Sequence, residues 1–534
     1  MSATEASLIA YACFVVVGLL LYSIFFKKYK WVVLLVLSYI MIFFLSAYWL
    51  IFMIIATIIV FGCGIWIGKL NKSFEIKKEG LEKEEKKKLK AQIKKKQKLI
   101  MVLGLFLSFL ILALLKYTDP LKHIGLELNI AKNLNELFEK YSFAGFNSLK
   151  LFFPLLGISY YTLTSTGYLI DVYRKKYDCE RNIFKLALFI GFFPLQIEGP
   201  ISRYDKLSPQ LYKDTNPTYE DLSYGGSLIV WGLFKKIVIA DRLSIAVTEI
   251  FNNYNEYAGP VVFLGAIFYA FQLYCDFSGY IDIARGVSRL FGIKLEDNFD
   301  RPFMSKTVSE FWRRWHMSLG AWLRDYVFYS VSFSKPYMAL NVKIHNKVKP
   351  VFEKFIASLL PMLCVWLVCG IWHGCGIKYI VYGMYYYVVM MIGILLEPVH
   401  IYLCNKLHLN REGIFVKTLA IIRTLVIVMF GLMMFRADSL PIYFDMVGQL
   451  FKGGTYDLIG LGLINSKDLI IMFISIAFIL GIEIIQEFID IPNKFHNSNI
   501  AIRYTLIIGL IVVIILFGAY GEGYGAIDPL YAAF

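Results

Sequence analysis

Apolar runs of about twenty residues recur along this chain, and no water-filled fold has room for so many. Leu8–Phe26, Trp31–Trp49, Leu50–Trp66 and Leu99–Tyr117 come first. Val416–Phe435, Leu469–Ile485 and Tyr504–Tyr520 close the series. A helix needs about twenty apolar residues to cross the hydrocarbon of a bilayer. Between the ends lie shorter or broken runs: Leu149–Ile170, Leu186–Gly199, Leu228–Ala240, Val261–Ala284, Phe355–Trp372 and Ile377–Leu396. The expected fold is therefore all-α, a polytopic membrane bundle with about 11–13 crossings. Composition agrees: 58% of the 534 residues are hydrophobic and only 18% are charged, against about a quarter in soluble domains. An ordinary soluble enzyme, a disordered chain and a disulfide scaffold are excluded.

Charge orients the bundle. Lys69 to Lys98 holds thirteen lysines and five glutamates, over half of the net charge of +15. Without interleaved arginines and aromatics it does not read as a nucleic-acid patch. It reads as a cytoplasmic loop under the positive-inside rule, with some spacing for a solvated helix. Lys27, Lys28 and Lys30 after the first run, and Arg174, Lys175 and Lys176 after the fifth, share its parity, which puts the N-terminus outside. No cleavable signal is expected, since the first run is long enough to remain as a span. Leu186–Gly199 is broken by Pro194 and Pro200 and reads as re-entrant or kinked, tolerable only where protein or water surrounds the backbone.

Ionisable groups at membrane depth are costly and so mark candidate sites. Tyr274–Asp282 puts Asp276 and Asp282 in an apolar stretch, where helix-to-helix hydrogen bonding, or pairing with Arg285 or Arg289, would account for them without a functional role. Glu310–Asp325, taken as one helix, has two faces. Phe311, Trp312, Trp315, Leu319, Trp322, Leu323 and Tyr326 share one arc; Glu310, Arg313, Arg314, Arg324 and Asp325 share the other. Glu310 and Arg314 have pairing distance, and His316 sits at the edge of the aromatic arc. An interfacial helix anchored by tryptophans fits this pattern as well as a site does. His373 ends an apolar run in Gly370-Ile371-Trp372-His373-Gly374-Cys375-Gly376. The glycines fit close helix packing, but a titratable ring among them suits proton transfer. His123, His345, His400, His408 and His496 read as surface residues. Cys13, Cys63, Cys364 and Cys369 read as buried thiols, and Cys375 stands out beside His373. Neither a metal cluster, a G-x-S-x-G elbow nor a P-loop is present: Cys63 stands where the upstream glycine of Gly68-Lys69 would be, and Leu70 where Ser or Thr would be.

At these residues the chain resembles the membrane-bound O-acyltransferases, in the bacterial branch typified by alginate O-acetyltransferase. The matching stretches are Pro154–Thr162, Tyr168–Arg174, Phe192–Gln196, Gly199–Arg203, Tyr274–Tyr280, Asn298–Phe303, Glu310–Asp325, Trp372–Gly374 and Phe435–Asp438. The resemblance implies N-terminal spans over 1–148 with the Lys-rich loop 69–98, a core over 149–440, and C-terminal spans over 441–534. It implies re-entrant and amphipathic segments around a funnel holding His373 and His316, the two catalytic positions. Trp312, Arg313, Arg314, Trp372, Asp276 and Glu310 are the substrate-binding candidates. No bound cofactor or metal is implied; the donor would be acetyl-CoA or another acyl thioester. The implied acceptor is an extracytoplasmic polysaccharide, reached at a bacterial cell membrane with a separate extracytoplasmic esterase-like partner. D-alanyl transfer to teichoic acid is the alternative within the class. A polysaccharide flippase or ion-coupled transporter is the alternative outside it, although the internal repeats common in transporters are lacking.

Overall fold

The computed structural model of the chain describes residues 3–25, 27–45, 47–116, 157–196, 198–374, 376–459 and 465–520. These are helical throughout, joined by turns, with one isolated bridge between Tyr257 and Thr455. In order the helices are α1 Ala3–Ile24, α2 Lys30–Leu45, α3 Ala47–Lys77, α4 Lys83–Lys116, α5 Ile158–Tyr173, α6 Ile183–Gly191, α7 Tyr204–Leu211, α8 Tyr219–Leu233, α9 Asp241–Asn252 and α10 Gly259–Leu290. They continue with α11 Val308–Arg314, α12 Met317–Leu323, α13 Tyr329–Ser332, α14 Lys335–Ile344, α15 Pro350–His373, α16 Ile377–Lys406, α17 Ile414–Arg436, α18 Leu440–Gln449, α19 Ser466–Gln486, α20 Ile491–His496 and α21 Ile500–Phe517. Among the described residues eight helices are long and apolar enough to cross a bilayer. Among the other apolar runs, Leu186–Gly199 begins within the short helix α6, whose nine residues reach only about 14 Å. No residue of α21 is buried, as suits a helix bathed in lipid.

The chain divides into two compact units. The first comprises residues to Gly226 with Ala284–Glu296. In it α3 and α4 are continuous helices of 31 and 34 residues, about 46 and 51 Å long, well beyond the ~30 Å of hydrocarbon. The lysine-rich segment is therefore not a loop: only the turn around Gly80, at φ 79°, separates two helices. Gln97 holds the projecting part together by donating to Asn71 Oδ1 at 2.7 Å, while the lysines of α4 from Lys83 to Lys98 are exposed. Against this hairpin packs α5, whose Ser165 and Thr166 hydroxyls donate to the backbone carbonyl of Thr162. The kink expected near Pro194 is a 3₁₀ turn, Phe193–Leu195, and the Phe193 N–H donates to Ser38 Oγ at 3.1 Å.

The second unit comprises Ser227–Ile283 and the residues from Asp297 onward. Helix α8 runs into a π-helical segment, Phe234–Ala240, and then into α9. Its glycine meets that of α10 backbone to backbone: a Cβ on Gly232 would lie 2.5 Å from the Gly279 carbonyl oxygen. The same device joins α15 to α16, where a Cβ on Gly383 would lie 2.4 Å from the Trp366 carbonyl oxygen. Tyr385 and Tyr386 of α16 donate to carbonyls of Ile427 and Val428 on α17. The described cysteines are free thiols; Cys369 is buried, Cys63 and Cys364 are half-buried and Cys13 is exposed. Cys375 and His123 lie outside the described residues, as do Pro154–Leu156 of the first matching stretch.

Candidate active site

The stretch read as one helix, Glu310–Asp325, is broken in the middle. Helix α11 ends at Arg314, and α12 begins at Met317. His316, between them, has φ 45° and ψ 54°. A left-handed conformation costs a non-glycine residue about 1–2 kcal/mol, so a neighbouring segment must hold it. That segment is Asn298–Asp300: the Asp300 N–H donates to the Arg314 carbonyl at 2.9 Å, and the Met317 N–H to the Asn298 carbonyl at 2.9 Å. Arg301, next in line, is also left-handed, at φ 48°. Strain of this kind collects where the surroundings over-determine a functional geometry. The tryptophans are not interfacial anchors. Trp315 and Trp322 are buried in protein, and Trp315 stacks on Phe311 at 5.4 Å.

Both histidines are buried, each about 3% exposed. The His316 imidazole meets Phe277 edge-on at 4.8 Å and lies 6.0 Å from Trp372. His373 is the last residue of α15. Its ring lies 4.8 Å from Trp372, 5.1 Å from Phe435 on α17 and 5.8 Å from Tyr382 on α16. The two imidazoles, 57 residues apart in sequence, thus share one indole. Their centres are separated by no more than the 6.0 and 4.8 Å steps laid end to end. A Cβ on Gly374 would strike the Tyr379 ring at 2.3 Å, so the glycine after His373 lets α16 close over the chain. His316 lies outside the spans; burial among aromatic rings pushes its pKa down to about 3.

The remaining candidates separate into engaged and accessible groups. Glu310 pairs with Arg314 at 2.7 Å, as their spacing predicts, and Arg314 also meets Glu487 at 2.8 Å. Arg313 is exposed. Trp312 is half-buried against Tyr386, 4.8 Å away, and Trp366, 5.4 Å away. Asp276 is buried and paired. Its partner is Lys236, at 2.7 Å, which also reaches Asp241 at 2.7 Å; Lys235 pairs with Asp282 at 2.6 Å. The Gly232–Gly279 contact explains this: it brings the π-helical lysines alongside α10, whereas Arg289 pairs with Asp221.

Sequence reasoning missed several neighbours. Asn298 is buried, with its side chain on His316 Nδ1. Phe277, Tyr382 and Phe435 wall the two rings. Glu483 of α19 is buried beside the Tyr274 hydroxyl and the Phe303 backbone. Three of these, Asn298, Phe277 and Phe435, fall within stretches that carry the resemblance. Their residue types alone gave no sign of what they touch. Among the described residues no cluster of three metal-ligating side chains occurs.

A polytopic helical protein with two buried histidines converging on a tryptophan is the class these observations define. The chain belongs to the membrane-bound O-acyltransferase family. The family model, "MBOAT, membrane-bound O-acyltransferase family", matches residues 180–341, which include His316 but not His373. A protein named "Probable alginate O-acetylase AlgI" from Pseudomonas putida is 30% identical over 71% of this chain and 71% of its own length. Its namesake from Pseudomonas aeruginosa is 30% identical over 71% of this chain and 65% of its own. A "Teichoic acid D-alanyltransferase" from Bacillus subtilis is 34% identical over 44% of this chain and 58% of its own. The matches span about half to two thirds of the first three relatives.

Proposed function

We propose that the chain is an integral-membrane O-acyltransferase. It takes an acyl group, acetyl in the favoured reading, from a thioester such as acetyl-CoA on the cytoplasmic side. It moves that group toward hydroxyls of an extracytoplasmic polysaccharide, alginate-like or another surface glycan, at the cell membrane. The observation that carries the reading is the pair of buried imidazoles sharing Trp372 in a chain of this family.

In this reaction the acceptor oxygen attacks the thioester carbonyl carbon, and the hydroxyl proton passes to His373. The carbon–oxygen bond forms, the carbon–sulfur bond breaks, and the thiolate leaves with the proton that His373 took. Hydroxyl and thioester become ester and thiol. The negative charge on the carbonyl oxygen develops among aromatic side chains with little water, where one hydrogen-bond donor counts most; His316 supplies it. Arg313, exposed and 3.5 Å from the Ser309 hydroxyl, suits a phosphate of the donor; Arg314 is already held by Glu310 and Glu487. A separate extracytoplasmic protein completes transfer onto the polymer.

The acetyl reading draws on the relatives named for alginate acetylation, and the D-alanyl reading on the one named for teichoic acid. The test is a transfer assay on purified protein with acetyl and D-alanyl thioesters offered in parallel, reading ester formation by mass. His373→Ala, checked for folding, is expected to lower the rate at least 100-fold. Transfer at the wild-type rate in that variant would refute the role of His373. Transport of glycan without donor consumption would refute the class.

A further inference from the structure

The Asn298 carboxamide touches two things. Its Oδ1 accepts from the Ser318 backbone N–H at 2.9 Å, and its Nδ2 lies 3.1 Å from His316 Nδ1. Oδ1 also lies 3.3 Å from Nδ1. A backbone N–H can only donate, so the Ser318 contact fixes which end of the carboxamide is oxygen. The nitrogen end then faces the imidazole. Were Nδ1 protonated, its proton would have to reach Oδ1 at the longer 3.3 Å, on an oxygen already accepting from Ser318, with the Nδ2 N–H groups held 3.1 Å away. With a lone pair on Nδ1, the same approach is a hydrogen bond.

We infer that Asn298 is a positioning residue that holds His316 in the tautomer protonated on Nε2. The two histidines then divide the labour. His316 offers an N–H and has no free lone pair for a proton, whereas His373 carries the proton traffic. The inference deepens the acyltransferase reading and its consequences rest on it, but the tautomer itself does not. Burial keeps the His316 ring neutral, which preserves the distinction between its nitrogens. The backbone contacts of Asn298 with Met317 and its side-chain contact with Ser318 make it the clamp for the left-handed turn as well.

Asn298→Asp separates the two roles. Aspartate keeps an oxygen for Ser318 N–H but has no N–H to give, so the imidazole must turn a protonated Nδ1 toward it. The experiment is ¹⁵N spectroscopy of histidine-labelled full-length protein in nanodiscs at pH 7, with the His316 signals identified by their loss in His316→Gln. The expected wild-type pattern is protonated Nε2 and bare Nδ1; in N298D a proton appears on Nδ1. A wild-type spectrum with protonated Nδ1, or an N298D spectrum unchanged from wild type, would overturn the inference. Acyl transfer by N298D is expected to fall about tenfold or more where its His316 ring is neutral, in the range seen for lost second-layer partners. An unchanged rate there would remove the link to catalysis. If His373→Ala retains activity while the tautomer is as stated, the acyltransferase mechanism fails and the positioning by Asn298 stands.

Discussion

Lys236 is the sharpest test of the buried charges. Its ammonium sits between Asp276 and Asp241, 2.7 Å from each, and both Lys236 and Asp276 are under a tenth exposed. Lys236→Met strands two carboxylates in a low-dielectric interior, and breaking a buried pair from one side costs about 3–5 kcal/mol. Asp276→Asn is milder. The amide oxygen still accepts from Lys236, and Asp241 still balances its charge, so the expected loss is that of one charge-assisted hydrogen bond, about 1.5–3 kcal/mol. The double variant should be less damaged than the sum of the singles by at least about 1 kcal/mol, because no Asp276 charge is left to strand. The assay is reversible unfolding in one fixed detergent. Lys354→Met serves as control, since its 2.8 Å pair with Glu397 is exposed and worth at most about 1 kcal/mol. A K236M loss no larger than the control, or strict additivity in the double variant, would refute the network.

Two further predictions concern packing and acid. Gly232→Val should cost about 1–3 kcal/mol, since its Cβ would meet the Gly279 carbonyl, whereas Gly481→Ala, with open space around it, should be tolerated; equal effects in a thermal-shift series would contradict the close approach. Burial holds the His316 pKa near 3 in the folded protein, against an ordinary value of 6.5. Below pH 6.5 the unfolded chain gains a proton that the folded chain refuses, so stability falls as pH drops, by up to about 1.4 kcal/mol per unit. His316→Gln should flatten that acid slope, and an unchanged slope would mean that the ring is already charged when folded.

Much of the fold was legible because it rests on the length of apolar runs, which sequence displays directly. The Glu310–Arg314 pair was legible for a similar reason: it depends on spacing within a single turn. The break at His316 was not. No glycine or proline lies between Phe311 and Leu319, and helical periodicity continues through the break. What ends α11 is a partner eighteen residues upstream, Asn298, whose carbonyl and carboxamide take the N–H groups of Met317 and Ser318. The lysine partners of Asp276 and Asp282 were not legible for the same physical cause: Lys235 and Lys236 lie about forty residues upstream, and the Gly232–Gly279 contact brings them alongside α10.

Helix α10 shows how a charged network and a neutral histidine coexist in one bundle. Phe271, Tyr274 and Phe277 recur every three residues and form a stripe. They meet Phe303 at 4.6 and 5.1 Å, Phe299 at 5.6 and 5.2 Å, and finally His316 at 4.8 Å. Asp276, Ser278, Gly279 and Asp282 occupy the adjoining face and meet Lys235 and Lys236 of the π-helical segment and the α8 backbone at Gly232. Neighbours in sequence point about 100° apart on a helix. Asp276 and Phe277 therefore serve different sides, one compensated in charge and the other aromatic. Moving the carboxylate by one residue would place it against the imidazole, and an adjacent negative charge would favour imidazolium. The one-residue offset between the stripes is thus what lets α10 carry buried charge while His316 stays uncharged.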